Sequence, residues 1–180
     1  QELRLLNQEL ASQALTDPLT HLDNRRSFDA VLAQSLACDQ PFALLMVDVD
    51  DFKLINDSFS HLVGDAVLHE LASLLRQAVR GGDTVFRLGG DEFTVVLPRA
   101  GLTAAMVTKG RIQDAVASHN WAQIANGLSV SVTVGAADRM LNDTAASFLR
   151  RVDLALLSSK QRVRRGSERQ RNAHPATAAR

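Results

Sequence analysis

Hydrophobic positions recur at Leu3, Leu6 and Leu10, with mostly polar residues between them. That spacing predicts a short heptad stripe on a helix over 1–14. Two readings stay open for it: a terminal helix lying on its own domain, or the end of a dimerising coiled coil that carries a signal from an upstream module. Asp17-Pro18-Leu19-Thr20 stops the helix, because proline cannot continue one from within. Asn24 is placed to cap a helix running to about residue 38. Residues 42–49 are an apolar, β-rich run closed by Asp48-Val49-Asp50-Asp51, the pattern of a buried central strand. A helix follows over 62–79, with Leu68, Leu71, Ala72 and Leu75 on one face. Thr84-Val85-Phe86 and Thr94-Val95-Val96-Leu97 read as short strands, joined by a tight hairpin at Gly89-Gly90 and ended by Pro98. A helix over 103–118, an alternating strand over 128–136 and a helix over 144–160 complete the pattern. The order β-αα-ββ-α-β-α predicts an α+β sandwich of the ferredoxin-like kind, a central and mainly antiparallel sheet flanked by helices.

Composition narrows this picture. A chain of 180 residues with 46% hydrophobic content suits one compact domain. We divide it into a linker helix over 1–16, a main domain over 17–165 and a basic tail over 166–180, expected to be disordered in part. Lys+Arg and Asp+Glu both total 20, so the overall charge implies no bulk affinity for nucleic acid or membrane. The lone Cys38 cannot form an internal disulfide, which suits a reducing compartment. No apolar run reaches membrane-spanning length and no signal peptide is visible, so a cytoplasmic domain is expected, with membrane anchoring of a parent protein left open. The start at Gln1 suggests a piece of a longer chain.

The candidate chemistry centres on Arg87-Leu88-Gly89-Gly90-Asp91-Glu92-Phe93. Glycine lets a phosphate or base approach the backbone with no Cβ in the way. Adjacent acids offer hard oxygen ligands for a divalent cation. Asp48 ends an apolar strand, where an acid is costly to bury without a cation or donors. Period-two alternation puts Asp48 and Asp50 on one face. Taken singly, each could be a turn-capping acid, and Asp-x-Asp alone also fits a metal-dependent glycosyltransferase. If the Asp48 strand lies beside the hairpin, Asp48 and Asp91 come together, and two carboxylates from separate strands can hold a two-metal site for displacement at phosphorus.

Four motifs in order carry a resemblance over about 17–160. Asp48-Val49-Asp50-Asp51-Phe52-Lys53-Leu54-Ile55-Asn56-Asp57, Ser60-His61-Leu62-Val63-Gly64-Asp65, the Gly89-Gly90-Asp91-Glu92-Phe93 run, and Asp17-Pro18-Leu19-Thr20 with Asn24-Arg25-Arg26 resemble the signatures of the GGDEF family, the diguanylate cyclases. The resemblance implies a nucleotide-cyclase, palm-like fold and the joining of two GTP molecules into cyclic di-GMP. It implies Asp48, Asp91 and Glu92 as catalytic residues. Asp48, Asp91 and the main-chain carbonyl of Val49 become ligands of Mg²⁺, with Mn²⁺ as an alternative. Substrate contacts fall to Gly89, Gly90 and Phe52, to Asn56 and Asp65 as the guanine-reading pair, and to Lys53, Lys160 and Arg164 at phosphates. Arg80-Gly81-Gly82-Asp83 matches the family's inhibitory product site, with Arg111 as a secondary arginine. Asp50 is expected to support its loop and His61 to be a packing histidine. Implied partners are GTP, cyclic di-GMP as product and inhibitor, a second copy of the chain, and an upstream sensory or receiver domain, with no nucleic acid. The competing reading is a non-catalytic module that binds GTP or cyclic di-GMP. It draws on departures from the family pattern: Leu157 replaces a tyrosine, and Val163-Arg164-Arg165 replaces Gly-Arg-Asn. His21 and Ser60 stand where glycines are usual, the latter read as a small change.

Overall fold

A computed structural model describes residues 15–38 and 40–173, from Val163 onward as backbone alone. The predicted helix over 1–14 and the end of the basic tail lie outside the described residues. The chain forms β1 (Asp23–Asn24), α1 (Arg25–Ala37), β2 (Phe42–Val49), α2 (Phe52–Phe59), α3 (His61–Ala78), β3 (Thr84–Gly89), β4 (Glu92–Pro98), α4 (Leu102–Ser118), β5 (Val132–Asp138) and α5 (Ala145–Ala173). The five strands make one sheet in the order β1-β3-β4-β2-β5. The short β1 runs parallel to β3 and every other pairing is antiparallel. This is the α+β architecture that the pattern predicts.

Alternation along β2 sorts its side chains into two cores. Ala43, Leu45, Val47 and Val49 join Leu68, Leu71 and Leu75 of α3 and Ile112 of α4 on one face. Phe42 and Leu44 join Phe28 of α1 and Phe148 and Val152 of α5 on the other. Edge-to-face aromatic pairs fix the second layer, with ring centroids 5.5 Å apart for Phe28–Phe86 and 5.1 Å for Phe42–Phe148. Leu45 is fully buried, so truncation to alanine would cost about 2–5 kcal/mol. The same alternation turns Asp48 toward the α1/α5 face, a consequence used below.

Three boundaries differ from the sequence reading. Of the two helices in the β-αα order, the first, α2, lies before the predicted 62–79 span, and the break between them falls at Ser60, whose φ is 119° and ψ 162°. That conformation favours glycine strongly, so serine in this place is a strained substitution and not a small one. The last strand starts at Val132 instead of 128, and α5 continues as helix to Ala173 instead of ending near 160. His61, read as a packing histidine, is exposed at the start of α3.

One helix reaches over the edge of the sheet. Lys109 of α4 donates from Nζ to the Val134 carbonyl on β5 at 2.5 Å and to Ser159 Oγ on α5 at 3.2 Å. At Gly135 a Cβ would stand 2.3 Å from the Leu156 backbone nitrogen, so β5 and α5 meet at a distance only glycine permits.

Candidate active site

The hairpin between β3 and β4 turns through Gly89 (φ 140°) and Gly90 (φ 53°), both in backbone regions that suit glycine. Arg87 pins the turn from below. Its Nε and a terminal nitrogen donate to the Gly90 carbonyl at 3.1 and 2.8 Å. Its other terminal nitrogen donates to both Asp17 carboxylate oxygens at 2.9 and 3.1 Å. Asp17 also accepts from the Thr20 amide and hydroxyl. Burial pushes the Asp17 carboxyl up, but the hydrogen bonds from Thr20 and Arg87 outweigh it and hold the group below the usual carboxylate range. The Asp-Pro-Leu-Thr motif is thereby tied to the hairpin tip through Arg87, a contact with no pointer in the sequence.

Register then assembles the acids. Asp48 on β2 lies directly opposite Glu92 on β4, and the Val49 amide donates to the Asp91 carbonyl at 3.4 Å. Lys160 of α5 donates from Nζ to Asp48 Oδ1 at 2.7 Å. Burial is the first cause that pushes the Asp48 carboxyl up. Lys160 opposes it, the Asp91 and Asp50 charges add to it, and the group ends above its ordinary range. Asp50 accepts from the Ser131 and Thr133 hydroxyls at 2.7 and 2.6 Å and so anchors the loop after β2. A recess of about 380 Å³ opens beside Asp48 and Glu92 toward Arg25, Phe28 and Asp153. Thr94, on its wall, is fully buried, and its hydroxyl has no hydrogen-bond partner among the described residues.

On the other side, α2 begins at Phe52, directly after Asp51 in a left-handed conformation (φ 53°). Its first-turn amides, those of Phe52 and Lys53, have no intrahelical acceptor and form a ready seat for an anion. Lys53 is exposed at the same turn, Asn56 is half-buried and Asp65 is exposed on α3. Gly64 explains why α2 and α3 approach so closely: a Cβ there would stand 1.9 Å from Asn56 Oδ1 and 3.2 Å from Phe52 Cζ. The glycine of the His-Leu-Val-Gly-Asp run therefore makes room for Asn56 and Phe52.

Arg80 and Asp83 form their own unit at the turn before β3. Asp83 accepts from the Arg80 amide at 3.1 Å and from its Nε at 3.2 Å, and the arginine side chain remains 57% exposed beside a shallow recess of about 350 Å³. Arg111 donates to Thr108 of its own helix at 3.1 Å, and among the described residues no hydrogen bond or ion pair joins it to Arg80 or Asp83. The Arg164 side chain lies outside the described residues.

The residues present suit a hard divalent cation. Asp48 sits in the field of two further carboxylates and already attracts a cationic group. Among the described residues no three acidic, histidine or cysteine side chains converge into a ready metal cage. Such a donor set suits a divalent cation whose shell is completed by phosphate oxygens and water.

Fold and site together define an α+β domain that presents adjacent acids on a glycine hairpin against an acid-tipped central strand. The chain belongs to the GGDEF family: the family model described as "Diguanylate cyclase, GGDEF domain" matches residues 14–166. Among curated proteins, "Diguanylate cyclase A" of Treponema denticola is 32% identical over 166 residues, covering 88% of this chain and 45% of that protein. "Diguanylate cyclase DgcM" of Escherichia coli is 37% identical over 163 residues, covering 88% and 39% respectively. The chain thus spans less than half the length of these relatives. Among solved structures, the coiled coil and GGDEF domain of DgcB from Caulobacter crescentus in complex with c-di-GMP aligns with a TM-score of 0.83 at 29% identity, covering 89% of this chain and 87% of that one. The diguanylate cyclase SiaD in complex with its activator SiaC from Pseudomonas aeruginosa aligns with a TM-score of 0.78 at 34% identity, covering 89% and 63%. Among the described residues no helix is long and apolar enough to cross a membrane.

Proposed function

We propose that this domain condenses two GTP molecules into cyclic di-GMP and releases pyrophosphate, working as a pair of domains that face each other. The observation that carries this reading is the register of Asp48 against Glu92 beside the Gly89-Gly90 turn. In the reading, Asn56 and Asp65 accept from the guanine edge, and Phe52 and the two glycines leave room for base and ribose. Lys53, Lys160 and the first-turn amides of α2 meet the phosphates, and Arg164 is assigned there by family resemblance. Asp48, Asp91 and the Val49 carbonyl would hold Mg²⁺, with Mn²⁺ as a substitute, and Glu92 stands near the attacking hydroxyl. The cation, when bound, supplies charge neutralisation at the transferring phosphoryl group.

The chain's own contribution is positioning. One site carries a GTP whose α-phosphate must meet the 3′-hydroxyl of the other. The new 3′-oxygen–phosphorus bond forms as the bond to pyrophosphate breaks, and the hydroxyl gives up its proton. A second such step closes the ring. Product bound at Arg80 and Asp83, where an exposed guanidinium can make bidentate contact, would hold the domains apart, with Arg111 as an auxiliary contact. A sensory or receiver domain upstream of residue 17 would set how often two domains meet.

The test is incubation with GTP and Mg²⁺ at two protein concentrations, followed by nucleotide separation. Cyclic di-GMP that rises more than linearly with protein supports a paired cyclase. No product, even from a chain whose residues 1–14 are replaced by a dimeric coiled coil, with GTP or cyclic di-GMP still bound, would favour a nucleotide-binding module instead.

A further inference from the structure

The Lys160–Asp48 pair sets two requirements against each other. Asp48 is the acid to which the proposed function assigns a divalent cation, yet an ammonium group already lies 2.7 Å from its Oδ1. A divalent ion at the same carboxylate would sit within a few ångströms of that ammonium, and like charges at such range repel strongly in a half-buried site. Lys160 cannot simply leave either. Asp48 also feels Asp91 and Asp50, so loss of the lysine without replacement would leave neighbouring carboxylates uncompensated.

Two further observations define how the conflict resolves. First, among the described residues no three ligating side chains converge, so a cation arriving alone finds an incomplete shell. Phosphate oxygens would complete it. The same phosphates offer Lys160 a second anionic partner, and a lysine head is a compact charge on a flexible stem that suits such an exchange. Second, the helix that carries Lys160 is held in place. Gly135 admits the α5 backbone at Leu156 against β5, and Lys109 bonds both Val134 and Ser159, the residue before Lys160. The Lys160 side chain, 33% exposed, borders solvent.

We propose that Lys160 is the resident counter-ion of Asp48 in the nucleotide-free domain, and that it hands Asp48 to the divalent cation only as it transfers itself to the incoming triphosphate. Cation and nucleotide then bind with positive coupling, and by linkage each tightens the other by the same factor. The exchange keeps the acidic cluster neutralised in both states and keeps a lone cation off the site. It rests on the metal–GTP reading above and adds the order in which the charges change partners.

The experiment measures Mn²⁺ binding directly, from the free Mn²⁺ signal in electron paramagnetic resonance. The nucleotide-free chain is titrated with and without 3′-deoxy-GTP, which lacks the attacking hydroxyl. Wild type, Lys160→Met, Lys160→Arg and Asp48→Asn are compared. Lys160→Met is expected to bind Mn²⁺ alone about fivefold or more tightly than wild type, and the gain in Mn²⁺ affinity on adding the nucleotide is expected to shrink by a similar factor. Lys160→Arg keeps a cation on Asp48 and is expected to stay close to wild type without nucleotide. Equal or weaker Mn²⁺ binding by Lys160→Met overturns the exchange, even if 3′-deoxy-GTP still draws Mn²⁺ into wild type in a manner lost in Asp48→Asn; in that case the metal–GTP site itself stands. If wild type takes up no Mn²⁺ with the nucleotide present, the functional reading fails and the exchange falls with it.

Discussion

Gly64→Ala separates stability from substrate recognition. The residue lies inside α3, where alanine is favoured over glycine by about 1 kcal/mol. Its added Cβ would stand 1.9 Å from Asn56 Oδ1, so the amide must retreat by roughly 1 Å before contact is tolerable. The obstacle is the far end of a flexible side chain, so the fold can absorb the change by turning Asn56 aside. On the proposed reading, the guanine edge would then lose its acceptor. Misplacement of a positioning group by about 1 Å can cost up to about 10²-fold in turnover efficiency. The expected result is a variant at least as stable as wild type in urea, with kcat/KM for GTP reduced by one to two orders of magnitude. Combining Gly64→Ala with Asn56→Ala should add little beyond the worse single change, because both remove the same contact. An unchanged kcat/KM in a folded Gly64→Ala protein would refute the reasoning, and so would full additivity in the double variant.

Four shorter tests follow from the same geometry. Ser60→Gly relieves a backbone conformation that costs a non-glycine residue about 1–3 kcal/mol, less the entropy of glycine and a weak 3.4 Å cap to the Val63 amide, so chemical denaturation should show a gain of about 1 kcal/mol. Asp17→Asn removes the charge and one of the two oxygens that accept from Arg87 and should cost about 2 kcal/mol at neutral pH. Because the folded carboxyl titrates below the ordinary carboxylate range, that contribution is present above the unfolded pKa and vanishes as pH falls through the folded value, so the gap between wild type and variant should close in acid denaturation only below about pH 4. Thr94→Val replaces a buried hydroxyl that has no partner among the described residues and should raise the thermal midpoint by a few degrees, an effect worth about 1 kcal/mol. Asp91→Asn and Glu92→Gln should each abolish cyclic di-GMP formation with the circular dichroism spectrum unchanged; turnover retained in either purified variant would remove that residue from the catalytic assignment.

The sheet was legible because its signals are local. The apolar run at 42–49 coincides with β2, and the glycine pair turns where the flanking β-branched residues say it should. The break at Ser60 between α2 and α3 was hidden because a positive φ leaves no trace in the identity of a serine. The expectation that Asp48 lies near the hairpin is carried by the family resemblance, and the β2–β4 register places it opposite Glu92. What spacing could not supply were contacts between distant segments: Arg87 on Asp17, Lys109 across β5 to α5, and Lys160 on Asp48. Each is a cation whose partner is set by tertiary packing, and a lone basic residue on a helix gives no sign of the carbonyl or carboxylate it will meet.

Lys109 has a consequence for how copies of this chain can associate. A sheet edge with free carbonyls invites a strand from another molecule, and the outcome is irreversible stacking. At one border the backbone group of Val134 is already engaged by the Lys109 ammonium, and at the other β1 offers only two residues. Strand addition is discouraged at both borders, which leaves helices, loops and the hairpin as the surfaces through which neighbours can meet and part again. For a domain proposed to act only while two copies are briefly opposed, an edge partly engaged by Lys109 and an edge strand of two residues favour encounters that can come apart.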